Sequence, residues 1–413
     1  MGDPSASSVP EVKNMNENPG DSKKGKAAPA SFRSQVGPLI FLVGIYFLNF
    51  LSRTALVPLM PTIEKNLKVG HGEAGSFFFI ISFGNCIMLL ASGFVSSWLN
   101  HRRTIILSSI AVGGALLLVS ISPHLWGIRF GLFLLGMATG LYLPSGIAII
   151  TELVNPKHWG KAIAIHELAP NLGYMAAPLI SEALLGWISW RGVLVLLGMT
   201  SIFGGIVFIF FGKGGAFPGQ APSSRILRNI FVEPTFWIMI ALFTLAIGAS
   251  FGVYSMIPLY LVSERGMGRP WANILIGLSR ISTPATAILA GWFTDRFGPK
   301  QTLKGVLLAT GLITGLLGIV PGSWIVLIVF LQPMLATSFF PPGFAVLSRM
   351  GSTSIQKVAV SLTVPIGFLL GGGAIPAGIG LIGEIGSFSL GFTILGGLIL
   401  AGLILIRYLK FTD

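Results

Sequence analysis

The sequence predicts an all-α polytopic membrane protein with twelve transmembrane helices in two pseudo-symmetric six-helix bundles. Three observations carry that expectation: the composition, the spacing of the apolar stretches and an internal repeat. Of 413 residues, 53% are hydrophobic and only 10% are charged. A soluble domain carries roughly 25% charged residues because its surface must be hydrated, so this chain is solvated by lipid. Its 54 glycines and 25 prolines sit largely within apolar runs, where membrane helices tolerate both. The one cysteine, Cys86, excludes an intrachain disulfide and a Cys-rich metal site.

Residues 1–34 are polar and rich in Ser, Pro, Asn and Lys, with no apolar signal-peptide core, and read as a disordered cytoplasmic tail. Beyond it, a hydrocarbon core of about 30 Å needs roughly 20 helical residues at about 1.5 Å each. Twelve stretches meet that length: 36–60, 74–98, 104–121, 125–150, 161–185, 190–211, 235–262, 271–294, 302–320, 323–347, 357–381 and 386–409. The polar segment 212–234, with Lys213, Arg225 and Arg228, is expected as a central cytoplasmic loop between an N-terminal bundle, 35–211, and a C-terminal one, 235–413. Lys and Arg are retained on the cytoplasmic side. With both termini inside, 19 of the 27 basic residues fall in inner segments, and Arg53 and Arg280 remain within spans. The net charge of +13 is therefore a topology signal in a cell membrane, with the lipid bilayer and not nucleic acid as the partner. The repeat agrees with this division. Gly93 and Gly291, Pro144 and Pro342, Gly173 and Gly371, and Pro178 and Pro376 are each 198 residues apart, as expected of two related six-helix halves.

The sequence Gly291-Trp-Phe-Thr-Asp295-Arg296-Phe-Gly298-Pro-Lys300 resembles the loop signature of the major facilitator superfamily. Its first copy, Gly93-Phe-Val-Ser-Ser97-Trp-Leu-Asn100-His101-Arg102-Arg103, is degenerate, with Ser97 where the family has Asp. The resemblance covers roughly 36–410. It implies a secondary transporter with no cofactor and no enzymatic activity, whose cytoplasmic gate is latched by Asp295, Arg296, Lys300, Arg102 and Arg103. Asn49-Phe-Leu-Ser52-Arg53-x4-Pro58, with Pro61 and Gly75, is similar to the first span of the anion:cation symporter and organic-anion carrier branches, which implies an anion contact at Arg53. The acidic residue that some members place in span four for proton coupling is here Thr139, so coupling must use another group.

Four ionisable residues lie well inside spans: Arg53, His166, Glu167 and Arg280. A charge near the bilayer centre costs about 2.5–3.5 kcal/mol on insertion scales, so each needs a partner or a task. Arg53 and Arg280, entering from opposite halves, could clamp a carboxylate, phosphate or sulfonate bidentately. The bland alternative is snorkelling, or pairing with backbone carbonyls at a broken helix. His166 and Glu167 are neighbours, and either could carry a proton; a structural pair fixing the bend near Pro170 is the competing reading. With His neutral the four sum to +1, which an anion balances. Tyr46, Asn49, Tyr142, Asn171 and Tyr254 could complete the pocket, with Asn85 and Ser255 beside them, although such residues often only bond neighbouring helices. Gly371-Gly-Gly373 fits close packing or gate bending.

The function expected is alternating-access transport of a small organic anion by a monomer, with a proton or sodium as coupling ion. The alternatives are a proton-coupled drug or metabolite exporter, suggested by Ala169-Pro170-x2-Gly173, and a transporter-derived sensor or lipid-handling protein. No Walker loop, metal-ligand spacing or nucleophile elbow is present.

Overall fold

The computed structural model describes residues 32–219, 230–350 and 353–409. The polar tail lies outside the described residues up to position 31, as do Arg225 and Arg228. Eleven helical runs among the described residues are long and apolar enough to cross a membrane. In chain order they are α1 (Gln35–Leu67), α2 (His71–Leu99), α3 (His101–Ile121), α4 (Leu125–Leu153), α6 (Trp190–Phe211), α7 (Pro234–Glu264), α8 (Arg269–Phe297), α9 (Pro299–Ile319), α10 (Trp324–Leu347), α11 (Val358–Ile385) and α12 (Phe388–Arg407). The twelfth, α5, comprises Trp159–His166 and Leu168–Leu185 and carries Lys161, His166 and Glu167 in its first half.

The two halves repeat one packing scheme. α1 packs on α5 and α3 on α6, while α7 packs on α11 and α9 on α12, which are the corresponding pairs six helices later. Small residues set the closest crossings. A Cβ on Gly140 of α4 would lie 2.6 Å from the Asn85 carbonyl of α2, and one on Gly396 of α12 would lie 2.7 Å from the Gly311 carbonyl of α9. Only glycine allows backbones this near, and in lipid such contact replaces the hydrophobic drive that water would supply.

Proline decides where the helices break. It lacks an N–H and its ring clashes with the carbonyl four residues earlier. The first segments of α1, α4, α5 and α10 end at Thr54, Gly140, His166 and Thr337, each four residues before Pro58, Pro144, Pro170 or Pro341. In α8 the carbonyl so displaced is that of Arg280, four before Pro284. In α7 and α11 the ladder widens into π turns at Gly248–Gly252, Tyr260–Glu264 and Leu370–Ala374. A freed carbonyl inside a membrane must find another donor. Gln332 of α10 donates to Ala249 O at 2.8 Å and Arg280 to Ser250 O at 3.0 Å.

Phe32, Arg407 and segment 212–219 share one side of the bundle, here the terminal face; the opposite side is the distal face. Between halves, the second segment of α5 packs on the first of α8, and the second segment of α1 on α7, all toward the distal face. Toward the terminal face, the first segment of α5 packs on α1 and α4 of its own half, and the second of α8 on α9 and α10. The α2–α11 contact runs deeper, with Gly373 against Phe79 and Ser82. The halves therefore close distally and part toward the terminal face.

Replacing Gly140 with Val should cost roughly 1–3 kcal/mol through a forced backbone shift, whereas Gly397→Val, with open space around its Cβ, should leave stability unchanged. Thermal unfolding of both variants in detergent, followed by size exclusion, checks the contrast.

Candidate functional site

The broken helices bring one face of α1 against one face of α5. On α1, Tyr46, Phe50 and Arg53 are spaced by four and three residues, so they form a stripe. On α5, His166, Pro170 and Tyr174 do the same across the Glu167 interruption. Two clusters result, joined through Phe50, whose ring lies 6.5 Å from that of Tyr46 and 4.9 Å from that of Tyr174.

The first cluster surrounds the guanidiniums. Arg53 lies over Phe50 at 4.5 Å, Phe368 of α11 at 5.3 Å and Phe251 of α7 at 5.9 Å. Arg280, only 4% exposed, is flanked by Tyr174 at 4.7 Å and Tyr254 at 4.8 Å. Its Nη2 holds the Ser250 carbonyl of the α7 π turn, while its Nη1 and the Nε of Arg53 are buried without a partner. Among the described residues neither arginine pairs with a carboxylate. Cation–π contact steadies both groups but leaves their N–H donors available to a ligand anion.

The second cluster centres on His166. His166 is fully buried, stacked on Tyr46 at 4.4 Å, with Tyr142 also parallel to Tyr46 at 4.9 Å. His166 Nε2 lies 3.3 Å from the Tyr142 hydroxyl, which donates to Leu42 O at 2.7 Å. On the other side, His166 Nδ1 meets Glu167 Oε1 at 3.2 Å, and the Glu167 side chain is 47% exposed. An accessible carboxylate thus connects to a sealed imidazole.

The polar residues expected in the pocket divide. Tyr46, Tyr142 and Tyr254 join these clusters, whereas Asn49 donates to Ser108 of α3 at 3.1 Å and Asn85 to Thr139 at 3.1 Å. Asn171 bonds back to Glu167 O and Ser255 to Phe251 O, each four residues earlier. His166 and Glu167 bond each other and neither bonds Arg53 or Arg280. At the terminal face, Arg102 donates to Ile209 O at 2.9 Å and Lys300 to Leu409 O at 3.1 Å. Arg103 is exposed, Arg296 lies over Trp292, and Asp295 has no ion pair among the described residues. Among the described residues no bond across the halves runs through these five.

Sequence reasoning missed Tyr174, although it continues the His166 face of α5, and Phe50, which fills the step between Tyr46 and Arg53. It also missed the distal closure. Arg269 of α8 makes a bidentate pair with Glu182 of α5 at 2.9 and 3.1 Å and reaches Thr62 of α1 at 3.2 Å. Asn273 donates to Glu182 at 2.7 Å, and Glu384 of α11 accepts from the Gly72 N–H of α2 at 2.7 Å. Each of these bonds joins one half to the other.

A family model described as Major Facilitator Superfamily matches residues 42–364. The chain belongs to this superfamily. It is similar to the 4-hydroxybenzoate transporter PcaK of Acinetobacter baylyi, 21% identical over 87% of this chain and 85% of that one. It is also similar to the 3-(3-hydroxy-phenyl)propionate transporter of Escherichia coli, 23% identical over 71% of this chain and 76% of that one. Among solved structures, a bacterial homologue of the human lysosomal transporter Spinster, in an inward-facing and occupied conformation, shares the fold with a TM-score of 0.75, 17% identity and coverage of 92% and 95%. This member of the superfamily is thus a multi-pass membrane transporter of a small solute and not an enzyme.

The distal bonds make one outcome specific. Arg269→Ala removes a bidentate pair between halves, so a cysteine placed at Thr62 in a Cys86→Ser background should react with an impermeant thiol reagent from the distal face about tenfold faster than without that change. Glu384→Gln, which keeps the amide-capping shape, should raise the rate less.

Proposed function

We propose that this transporter carries a small organic carboxylate by alternating access, as a monomer, with proton symport. One observation carries the reading: two guanidiniums from opposite halves lie deep in the bundle with unpaired N–H donors and no carboxylate to neutralise them. In hydrocarbon such charge is tolerated only for a task, and a planar fork with free donors suits a carboxylate. The names of two relatives, both transporters of aromatic acids, support the class of solute.

The terminal face is cytoplasmic in this reading, as the basic residues indicate, and the structure corresponds to the inward-open state. In the outward-open state Glu167 takes a proton and the anion settles between Arg53 and Arg280, cancelling charge that would otherwise oppose closure. The halves rock, the distal bonds of Arg269 and Glu384 form, and solute and proton leave through the terminal opening. Glu167 exchanges with water in that opening, while His166 and Tyr142 fix its geometry.

Two measurements test this in proteoliposomes. An inward pH gradient should drive uptake of carboxylates from a mixed panel, and Arg53→Ala should reduce it by about a hundredfold, the cost of losing a charged hydrogen-bonding partner. Unchanged uptake in that variant rejects the site. Glu167→Gln should abolish the response to the pH gradient while substrate counterflow continues; retention of gradient-driven uptake rejects Glu167 as the proton carrier. A sodium gradient in place of the pH gradient should drive nothing.

A further inference from the structure

The bonds around His166 leave a proton to be placed. The Tyr142 hydroxyl lies 2.7 Å from Leu42 O and 3.3 Å from His166 Nε2. A carbonyl oxygen only accepts, so the phenolic proton lies toward Leu42 and the Tyr142 oxygen offers His166 a lone pair. Nε2 must then carry hydrogen. The other ring nitrogen, Nδ1, faces Glu167 Oε1 at 3.2 Å, and an ionised carboxylate likewise only accepts. A neutral imidazole has a single N–H, here committed to Tyr142, so Nδ1 and Oε1 would meet lone pair to lone pair. Their contact becomes a hydrogen bond when one further proton is bound, whether as imidazolium against carboxylate or as imidazole against carboxylic acid. Both descriptions contain one proton more than a neutral histidine beside an ionised glutamate.

The surroundings supply no other partner. The first segment of α5 packs on α1, on the second segment of α4 and on the turn Pro156–His158. Their titratable and charged groups are Tyr46 and Arg53 of α1, Tyr142 and Glu152 of α4, Lys157 and His158 of the turn, and Lys161 and Glu167 of α5 itself. Tyr46 stacks on the face of the imidazole, away from its in-plane lone pairs. Among the described residues the ring nitrogens bond only Tyr142 and Glu167. The interruption of α5, with Glu167 at φ −73° and ψ −3°, brings together neighbouring side chains that a regular helix turns about 100° apart.

We propose that Tyr142 is a positioning residue for proton coupling: by keeping its own proton on Leu42 O it fixes His166 in the Nε2–H form, so that the bond between His166 and Glu167 closes when one proton binds and opens when that proton leaves. The inference rests on the proton-symport reading above and deepens it, because it names what ties the pair to a single proton. On release the proton passes to water, Nδ1 keeps its lone pair and Oε1 returns to the carboxylate form, which turns away into the terminal opening where the side chain is already half-exposed. Without the Tyr142 hydroxyl, the neutral ring can place its hydrogen on Nδ1 and donate to the ionised glutamate. The contact then stays closed with no added proton, and the pair no longer distinguishes the loaded from the empty state.

Ring-nitrogen NMR of the full-length protein in lipid, carrying isotope-labelled histidine, reads the tautomer directly; the His166 signals are those lost in His166→Gln. With the ring neutral, the wild type should show the Nε2–H form and Tyr142→Phe the Nδ1–H form. The ring of Tyr142→Phe should also release its added proton about one pH unit lower than that of the wild type, because its deprotonated form retains the bond to Glu167. In the uptake assay described above, the ratio of gradient-driven uptake to counterflow should fall about tenfold in Tyr142→Phe, a ratio that expression or partial unfolding does not move. An Nδ1–H ring in the neutral wild type overturns the assignment, and that spectrum decides it even where the variant does not fold. A folded Tyr142→Phe with the tautomer, titration or uptake ratio of the wild type overturns it as well. A wild type that shows the Nε2–H ring but no response to a pH gradient overturns the symport reading, and the coupling role with it, while the bonding around His166 stands.

Discussion

A carbonyl that loses its helical partner inside a membrane has no water to turn to. In this protein that constraint connects the fold to the site. Proline withdraws the partner at defined steps in α1, α4, α5, α8 and α10, and π turns loosen the ladder in α7 and α11. Side-chain donors answer two of these openings, both at the π turn of α7: Arg280 on Ser250 O and Gln332 on Ala249 O. Arg280 divides its guanidinium: Nη2 supports the backbone of α7, and Nη1 is buried without a partner among the described residues.

Much of this was legible in the chain because lipid makes polarity expensive. Composition alone excludes a soluble fold, and apolar spacing yields twelve spans close to those in the structure. The 198-residue repeat reappears as matched packing pairs in the two halves. Arg53, His166, Glu167 and Arg280 stand out because ionised groups within spans are costly. The same logic does not separate Asn49 from Tyr46. Both are polar residues on α1, three positions apart, and only the rotation of the helix directs one to Ser108 of α3 and the other onto His166. Aromatic partners escape notice for the opposite reason. Phe50, Phe251 and Phe368 look like any lipid-facing or core phenylalanine until tertiary structure lays an arginine across them.

The distal closure was hidden by distance along the chain. Glu182 and Arg269 sit at span ends, where single charges are unremarkable, and they are 87 residues apart. Their meaning depends on which state the molecule occupies. The loop signature at the terminal face points to Asp295 and its basic neighbours, yet in a form parted on that side those residues hold nothing across the halves. The distal bonds are the ones that this conformation displays between the halves.

Glu384 shows how a latch can act twice. In the closed form its carboxylate sits on the first turn of α2, where the aligned peptide dipoles concentrate partial positive charge. Separating α11 from α2 at the distal face would strip that carboxylate from the Gly72 N–H, so the bond that joins the two halves also satisfies an amide at the start of α2.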